Sequence, residues 1–587
     1  MATNSDEAVY PQHIPYWRLM TDQGFVTQEI IDYPYAGSGT EQDPFVMEWI
    51  PNDPRNPMQF NPRIKWLYTV IVAFAILAVS LASSAYAGSI SEVLKDMDVS
   101  EEVATLGVSL FALGFAVRPL LWAPLSELVG RQVVFLITFM ALSSFCAGAA
   151  GSQNVWTLII LRFFAGSFGS SPFTNAGRVI ADIFAADQRG LATSLFAGAP
   201  FLGPSLGLWW VDSLVKMPAG AGYRETYAPV LLRKRAQRLS SITGCVYRSK
   251  MEIDRGKVSA REAFSAALSR PWILLLAEPI VLLLSIYMAF VYGTLYMLFD
   301  AFPIAFQEIR GWSEGIGGLP FLSVLIGMMV AVALNMYDNK CYIRIHKKHH
   351  GFAPPEARLP PSILGGLAIP IGLFWFAWTN SPSIPWIVCV LATAPFGLGM
   401  VLVFLGIMNY LIDSYTIYAA SVLAANSIIR SCFGAVSPLF TTYMYHNLGM
   451  HWASCIPAFL SLACVPFPFI FYRYGPAIRQ KCKYAAEADA FMRSLTKKAY
   501  DQDHEPEKEI DVEPITNVDE SKDETADSNE IARESASISS QSTLERTETV
   551  YDANPYDIDH VNTHNSAITQ TSRRVKSRWN MFSFGHK

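Results

Sequence analysis

Eleven long apolar runs dominate this chain of 587 residues and leave little room for any fold but a helical bundle in a bilayer. They are Trp66–Ala87, Val103–Leu121, Val133–Ala150, Val155–Ile180 and Gly190–Val211, then, after a polar gap, Trp272–Met297, Gly317–Leu334, Ile363–Trp378, Ile384–Leu405, Ala419–Tyr443 and Trp452–Phe471. A hydrocarbon core of roughly 30 Å takes about 20 residues of helix. Within it every backbone N–H and C=O must bond inside its own segment, so runs of this length become packed helices. With 51% hydrophobic and 16% charged residues the chain is too apolar for a soluble protein of its size. An all-α polytopic membrane protein is expected. The net charge of −5 is spread over loops and tails and implies no nucleic-acid partner. The eight cysteines show no CxxC spacing, so neither a disulfide framework nor a metal site is expected, and no cofactor is called for.

An odd number of spans puts the two termini on opposite sides, and the distribution of basic residues tests that count. The gap before the sixth run holds Arg224, Arg233, Lys234, Arg235, Arg238, Arg248, Lys250, Arg255, Lys257 and Arg261, which belong in the cytosol. So do the loop with Lys340, Arg344, Lys347 and Lys348 and the tail after Arg473. Acidic Glu92, Asp96, Asp98, Glu101 and Glu102 suit the other face. These placements agree only if an even number of helices precedes the basic gap. One helix there is missing or disguised, because Val215–Gly222 is too short and polar to span.

Between the second and third runs lies Trp122-Ala-Pro-Leu-Ser-Glu127-Leu-Val-Gly130-Arg131-Gln132, a tight turn with one acid and one base. Further on come Leu161-Arg162-Phe-Phe-Ala-Gly166 and Gly198-Ala-Pro-Phe-Leu-Gly203-Pro204-Ser-Leu-Gly207. Together with Glu225-Thr-Tyr-Ala-Pro, Tyr287-Met-Ala-Phe-Val-Tyr292-Gly and Asn409-Tyr-Leu-Ile-Asp413, these make residues 60 to 480 resemble the major facilitator superfamily, in its fungal branch of twelve-span drug:proton antiporters. The resemblance implies two six-helix bundles that rock about a midplane cavity. It implies export of drug-like compounds or secondary metabolites against proton entry across the plasma membrane, with polyamine export as an alternative. Two departures stand out: only Leu208–Arg224 separate Gly207 from the Glu-Thr-Tyr-Ala-Pro segment, too little for a sixth helix, and Arg118 stands where relatives would carry a small residue. The deficit admits a mis-spliced gene model, a real deletion or a strained hairpin, the first being favoured, and it raises a second alternative, a non-transporting relative.

Glu127, Gly130 and Arg131 are expected to gate the cytoplasmic side, Gly by letting two helices meet and the charges by forming salt bridges. Arg162 stands in the middle of an apolar stretch, and a buried base is costly enough that either proton coupling, the role the resemblance implies, or a bond to helix-end carbonyls must justify it. Glu278, at the inner mouth, and Asp300, at the outer end, are the carboxyls placed to carry protons. Gly198, Gly203, Pro204 and Gly207 allow a bent, closely packed helix of the antiporter type. Tyr287, Phe290 and Tyr292, with Trp375 and Trp378, offer ring faces to cationic or flat apolar substrates, or else face lipid. Asn409 and Asn426 serve either as cavity groups or as glue between helices.

The domains read as a disordered cytosolic tail over 1–60, a bundle over 61–215, a basic cytosolic loop over 216–271, a six-helix bundle over 272–475 and an acidic, Ser/Thr-rich disordered tail over 476–587. Both termini are placed in the cytosol, and the partners are a small organic substrate, protons and the bilayer, with the chain acting as a monomer. No phosphate-binding GxxxxGK[ST] loop is present and no nucleophile-base pair appears, so neither ATP-driven pumping nor an enzyme is expected.

Overall fold

In a computed structural model, residues 16–50, 53–184, 192, 224–256, 259–348 and 354–503 are described. The run Gly190–Val211 apart from Ala192, with its motif residues Gly198, Gly203, Pro204 and Gly207, the stretch Val215–Gly222 and the tail beyond 503 lie outside them.

The first set of membrane helices comprises α1 (Pro62–Ala85), α2 (Glu101–Val129), α3 (Arg131–Ala150) and α4 (Val155–Gly169), with α4 continued by α5 (Ser171–Ile183). Asn61 and Asn154 start α1 and α4, their side-chain oxygens accepting the N–H groups of Arg63 and Trp156 at 3.0 and 2.9 Å. Each thereby satisfies a donor that the helix itself leaves open. The run read as Val155–Ile180 is therefore two helices, divided where Pro172 opens the first turn of α5. Near its middle α2 winds through a 3₁₀ turn at Phe115–Val117 and a π turn at Arg118–Trp122, because Pro119 and Pro124 cannot donate to the regular ladder. A Cβ on Gly166 would collide with the Phe111 carbonyl, so α2 and α4 cross backbone to backbone.

Two further helices, α6 (Ala228–Thr243) and α7 (Ala260–Ala277), lead to the second set. It consists of α8 (Pro279–Phe302), α9 (Leu319–Lys348), α10 (Pro360–Thr379), α11 (Ala394–Ser414), α12 (Ala419–Cys464) and α13 (Pro466–Lys481). The run Ala419–Tyr443 and the first part of Trp452–Phe471 form two helical segments of α12 separated by a kink at Gly449, and the rest of the last run opens α13. The run expected over Trp272–Met297 is broken: Glu278 adopts φ −116° and ψ 102° ahead of Pro279. A residue before proline is pushed out of the α region by the ring, and the span starts after it. Most of the side chains of α8 are buried, which makes it the core helix of its set.

Residues 16–60, expected to be disordered, form a collar at the end of the bundle that bears the basic loops. Strand β1 (Phe45–Met47) pairs in parallel with β2 (Tyr247–Ser249). Beside it Asp53 and Arg235 form an ion pair at 2.5 Å with both side chains almost fully enclosed. Arg55 donates to the carbonyls of Asp22 and Gln23, and burial pulls its guanidinium down to about 10. Ile30, Met47, Ala236 and Leu239 make a small core of their own. The collar buries itself by pairing two segments far apart in sequence, and neither segment alone has an apolar period to announce it. The basic loop likewise carries helix and strand, and its boundary at residue 271 falls inside α7.

A second compact unit comprises Tyr415–Ile417 and, among the described residues, 485–503. Most of it is helix α14 (Lys483–Asp503), built from a stretch rich in Ala, Glu, Lys and Arg that favours helix. The tail after 476 thus opens with ordered residues.

Candidate functional site

Gly130 holds φ at +106°, a region open to glycine at little cost, and a Cβ there would strike the Glu225 carboxylate. That carboxylate accepts the N–H groups of Arg131 and Gln132 at 3.0 Å each, and those of Thr226 and Tyr227 at 3.0 and 2.9 Å. The positive end of α3 is thereby capped by an acid 94 residues away. The two charges of the turn engage α5. Glu127 meets Arg178 at 2.7 Å, while Arg131 meets Asp182 at 2.8 Å through Nε and 3.1 Å through Nη2. The collar reaches the same place, with Gln23 donating to Gln132 at 2.9 Å and Arg233 of α6 to the Leu128 carbonyl at 2.5 Å.

The second set repeats the arrangement. At the start of α10, Arg358 donates to Asp413 at the end of α11 at 3.0 Å, and Tyr342 of α9 donates to the same oxygen at 3.1 Å. Arg479 of α13 holds Glu356 through two bonds of 2.9 and 3.2 Å. Thus in each set the start of one helix is tied to the end of the next. The sequence displayed Arg358, Glu356 and Arg479 only as loop charges, since their partners are remote.

Deeper in, Arg162 spends its guanidinium on carbonyls: Nη1 donates to Ala82 at 2.8 Å, Nη2 to Ser83 at 3.2 Å and Nε to Gly107 at 3.2 Å. Ala82 and Ser83 stand in the last turn of α1, where helix geometry leaves carbonyls without intrahelical donors. The rings of Tyr86 and Phe111 lie 4.6 and 4.5 Å from the guanidinium carbon. Arg162 therefore ties α1, α2 and α4 together.

Of the expected cavity residues, Tyr287 and Asn426 are fully enclosed within the second set. Tyr287 turns its hydroxyl toward Gly366 of α10, and Asn426 donates to Ser285 at 3.3 Å, joining α12 to α8. Phe290 packs edge-on against Phe433, and Tyr292 meets the Tyr296 hydroxyl at 3.4 Å. Asn409 is half-buried on α11. Trp375 and Trp378 point away from the bundle, and Trp378 stacks on His451. The residue missed by the sequence reading is Arg430. Its guanidinium lies 4.9 Å from the Tyr292 ring and 5.0 Å from that of Phe404, and it is a base in the middle of an apolar stretch, as Arg162 is.

Glu278 is completely buried at the break before α8, where one carboxylate oxygen accepts the Tyr484 N–H at 2.9 Å. It sits at the helix start instead of inside a span. Asp300, at the far end of α8, buries Oδ2 with no hydrogen-bond partner among the described residues. At that end Tyr443 of α12 also donates to Glu102 of α2 at 2.5 Å, joining the two sets.

Residues 72–438 match the profile of the Major Facilitator Superfamily. The chain belongs to that family. It is a membrane transporter and not an enzyme. It is 59% identical over 592 residues to the Major facilitator superfamily multidrug transporter mdrA of Aspergillus fumigatus, covering 95% of this chain and 97% of that one. It is 57% identical over 591 residues to the MFS-type efflux pump MFS2 of Trichophyton rubrum, covering 97% and 98%. A Citrinin biosynthesis cluster MFS transporter, mrr1 of Monascus ruber, is 39% identical over 476 residues, covering 77% and 95%. The match to the Trichophyton protein runs over 591 positions while drawing on 97% of 587 residues, so some of its positions have no counterpart in this superfamily member.

Proposed function

We propose that this chain exports drug-like compounds or secondary metabolites in exchange for protons, alternating access between the two helix sets in the plasma membrane. The observation that carries the reading is the near full-length relation to a multidrug transporter and an efflux pump. The paired ion networks at the basic end act as gates: Glu127, Gly130 and Arg131 with α5 in one set, Arg358 and Asp413 in the other. Asp300 is the proton carrier, since its buried oxygen has no hydrogen-bond or ion-pair partner among the described residues, whereas Glu278 is engaged with the start of α14 and Arg162 holds helices together. The distribution of Arg and Lys supports a cytosolic location for both termini, and in this reading the chain works as a monomer. Polyamine export fits less well, because a polycation would meet the guanidinium of Arg430. The test is accumulation of a panel of fluorescent and antifungal compounds in yeast cells lacking their own pumps. Expression is expected to lower accumulation of at least one compound, and a protonophore to restore it; higher accumulation on expression would point to uptake.

One observation favours a second reading, a non-transporting relative. Alignment positions of the Trichophyton pump are missing here, and the sequence leaves too few residues before Glu225 for a sixth helix. Reading the transcript across Phe201–Tyr227 separates the two. An additional apolar segment of about 20 residues restores twelve spans, and a message matching this chain moves the second reading forward.

A further inference from the structure

A guanidinium in the middle of a bilayer is expensive unless something neutralises it, and Arg162 and Arg430, both buried there, are treated differently. The three nitrogens of Arg162 all donate to carbonyls. Arg430 is 8% exposed, its Nε is buried with no acceptor, and no Asp or Glu pairs with it among the described residues. At 1.5 Å per residue it stands roughly 16 Å along α12 from Ala419, about half the thickness of a hydrocarbon core. Arg430 lies over the Tyr292 ring, whose hydroxyl meets that of Tyr296, and its helix α12 packs against α2 of the first set, so Arg430 stands on a helix that borders both sets.

We propose that Arg430 is the anion-recognising group of the transport path, and that compounds bound there carry an ionised carboxylate on a flat apolar frame. The inference rests on the transporter reading above and gives it a substrate class. Arg offers five N–H donors in a planar fork that matches a carboxylate with two parallel bonds. Here the guanidinium lies over the rings of Tyr292 and Phe404, and its buried Nε has no acceptor among the described residues. The rings of Phe290, Phe433, Tyr292 and Tyr296 continue beside it in edge and tilted contacts and supply the apolar wall. The same geometry argues against a cationic substrate at this point, because Arg430 already occupies the ring face that such a cation would seek.

Equilibrium binding of 2-naphthoate and 2-naphthamide to the purified full-length protein in detergent at neutral pH tests this. The two probes share a ring system and differ in charge. Naphthoate is expected to bind at least tenfold more tightly than the amide, and Arg430→Gln to abolish that preference, the two probes then binding alike. Should that variant not fold, Arg430→Lys, which keeps the charge but loses the fork, must lose most of the preference. Equal binding by the wild type, binding of neither probe, or a preference that survives these substitutions overturns the proposal. Because binding is read without transport, a protein that prefers naphthoate yet moves no compound would refute the export reading and leave this one standing.

Discussion

Replacing Asp182 with Asn removes the negative charge that Arg131 meets at 2.8 and 3.1 Å and leaves the guanidinium in place. The Arg131 side chain is 5% exposed and that of Asp182 is 16% exposed, so neither charge can be rehydrated without opening the turn. Deleting one member of a buried ion pair costs about 3 to 5 kcal/mol, because the other is left uncompensated. Partial exposure of Asp182 and the Tyr227 ring 4.8 Å from Arg131 soften the loss, which places it near 3 kcal/mol. At 1.4 kcal/mol per tenfold, that is about a hundredfold in the unfolding equilibrium. Unfolding titrations in mixed micelles on Asp182→Asn, Arg131→Gln and the double variant would read it. The single variants should each be destabilised and the double variant should lose much less than their sum. Strict additivity, or a stable Asp182→Asn, would refute the claim that this pair fastens α3 to α5.

In the collar, Asp53→Ala strands Arg235 in an enclosed site and should open residues 16–60 to limited proteolysis while the membrane helices stay protected; an unchanged cleavage pattern would count against the collar. Arg162→Lys cannot reach three carbonyls on two helices, so efflux should fall together with thermal stability, whereas loss of efflux at full stability would make Arg162 a transport group first. Asp300→Asn should flatten the pH dependence of efflux, while Glu278→Gln should preserve it; the reverse pattern would move the proton site to the start of α8.

The apolar runs announced the membrane helices because hydrocarbon imposes length and composition on each segment independently. Local signals went further than their first reading: Pro279 already marked a break at Glu278, and the criterion that picked out Arg162 applies equally to Arg430. What the sequence kept hidden depends on pairing at a distance. Glu225 reads as a loop acid until α3 is seen starting on it, and Asp53 reads as part of a polar tail until Arg235, 182 positions away, is folded against it. Tyr287 is enclosed among the helices and Asn426 bonds across to Ser285, the interhelical one of its two readings; a helix buried on most sides gives no apolar stripe from which to choose between them.

The central claim is that substrate moves outward as protons move inward. Proteoliposomes holding the purified full chain, with a pH-sensitive dye trapped inside and an imposed pH gradient, test it most directly. With antiport, adding a transported compound produces a substrate-dependent proton flux opposite in direction to compound movement, lost on collapsing the gradient and in Asp300→Asn. Compound movement with no accompanying proton flux, or proton and compound moving in the same direction, would contradict it.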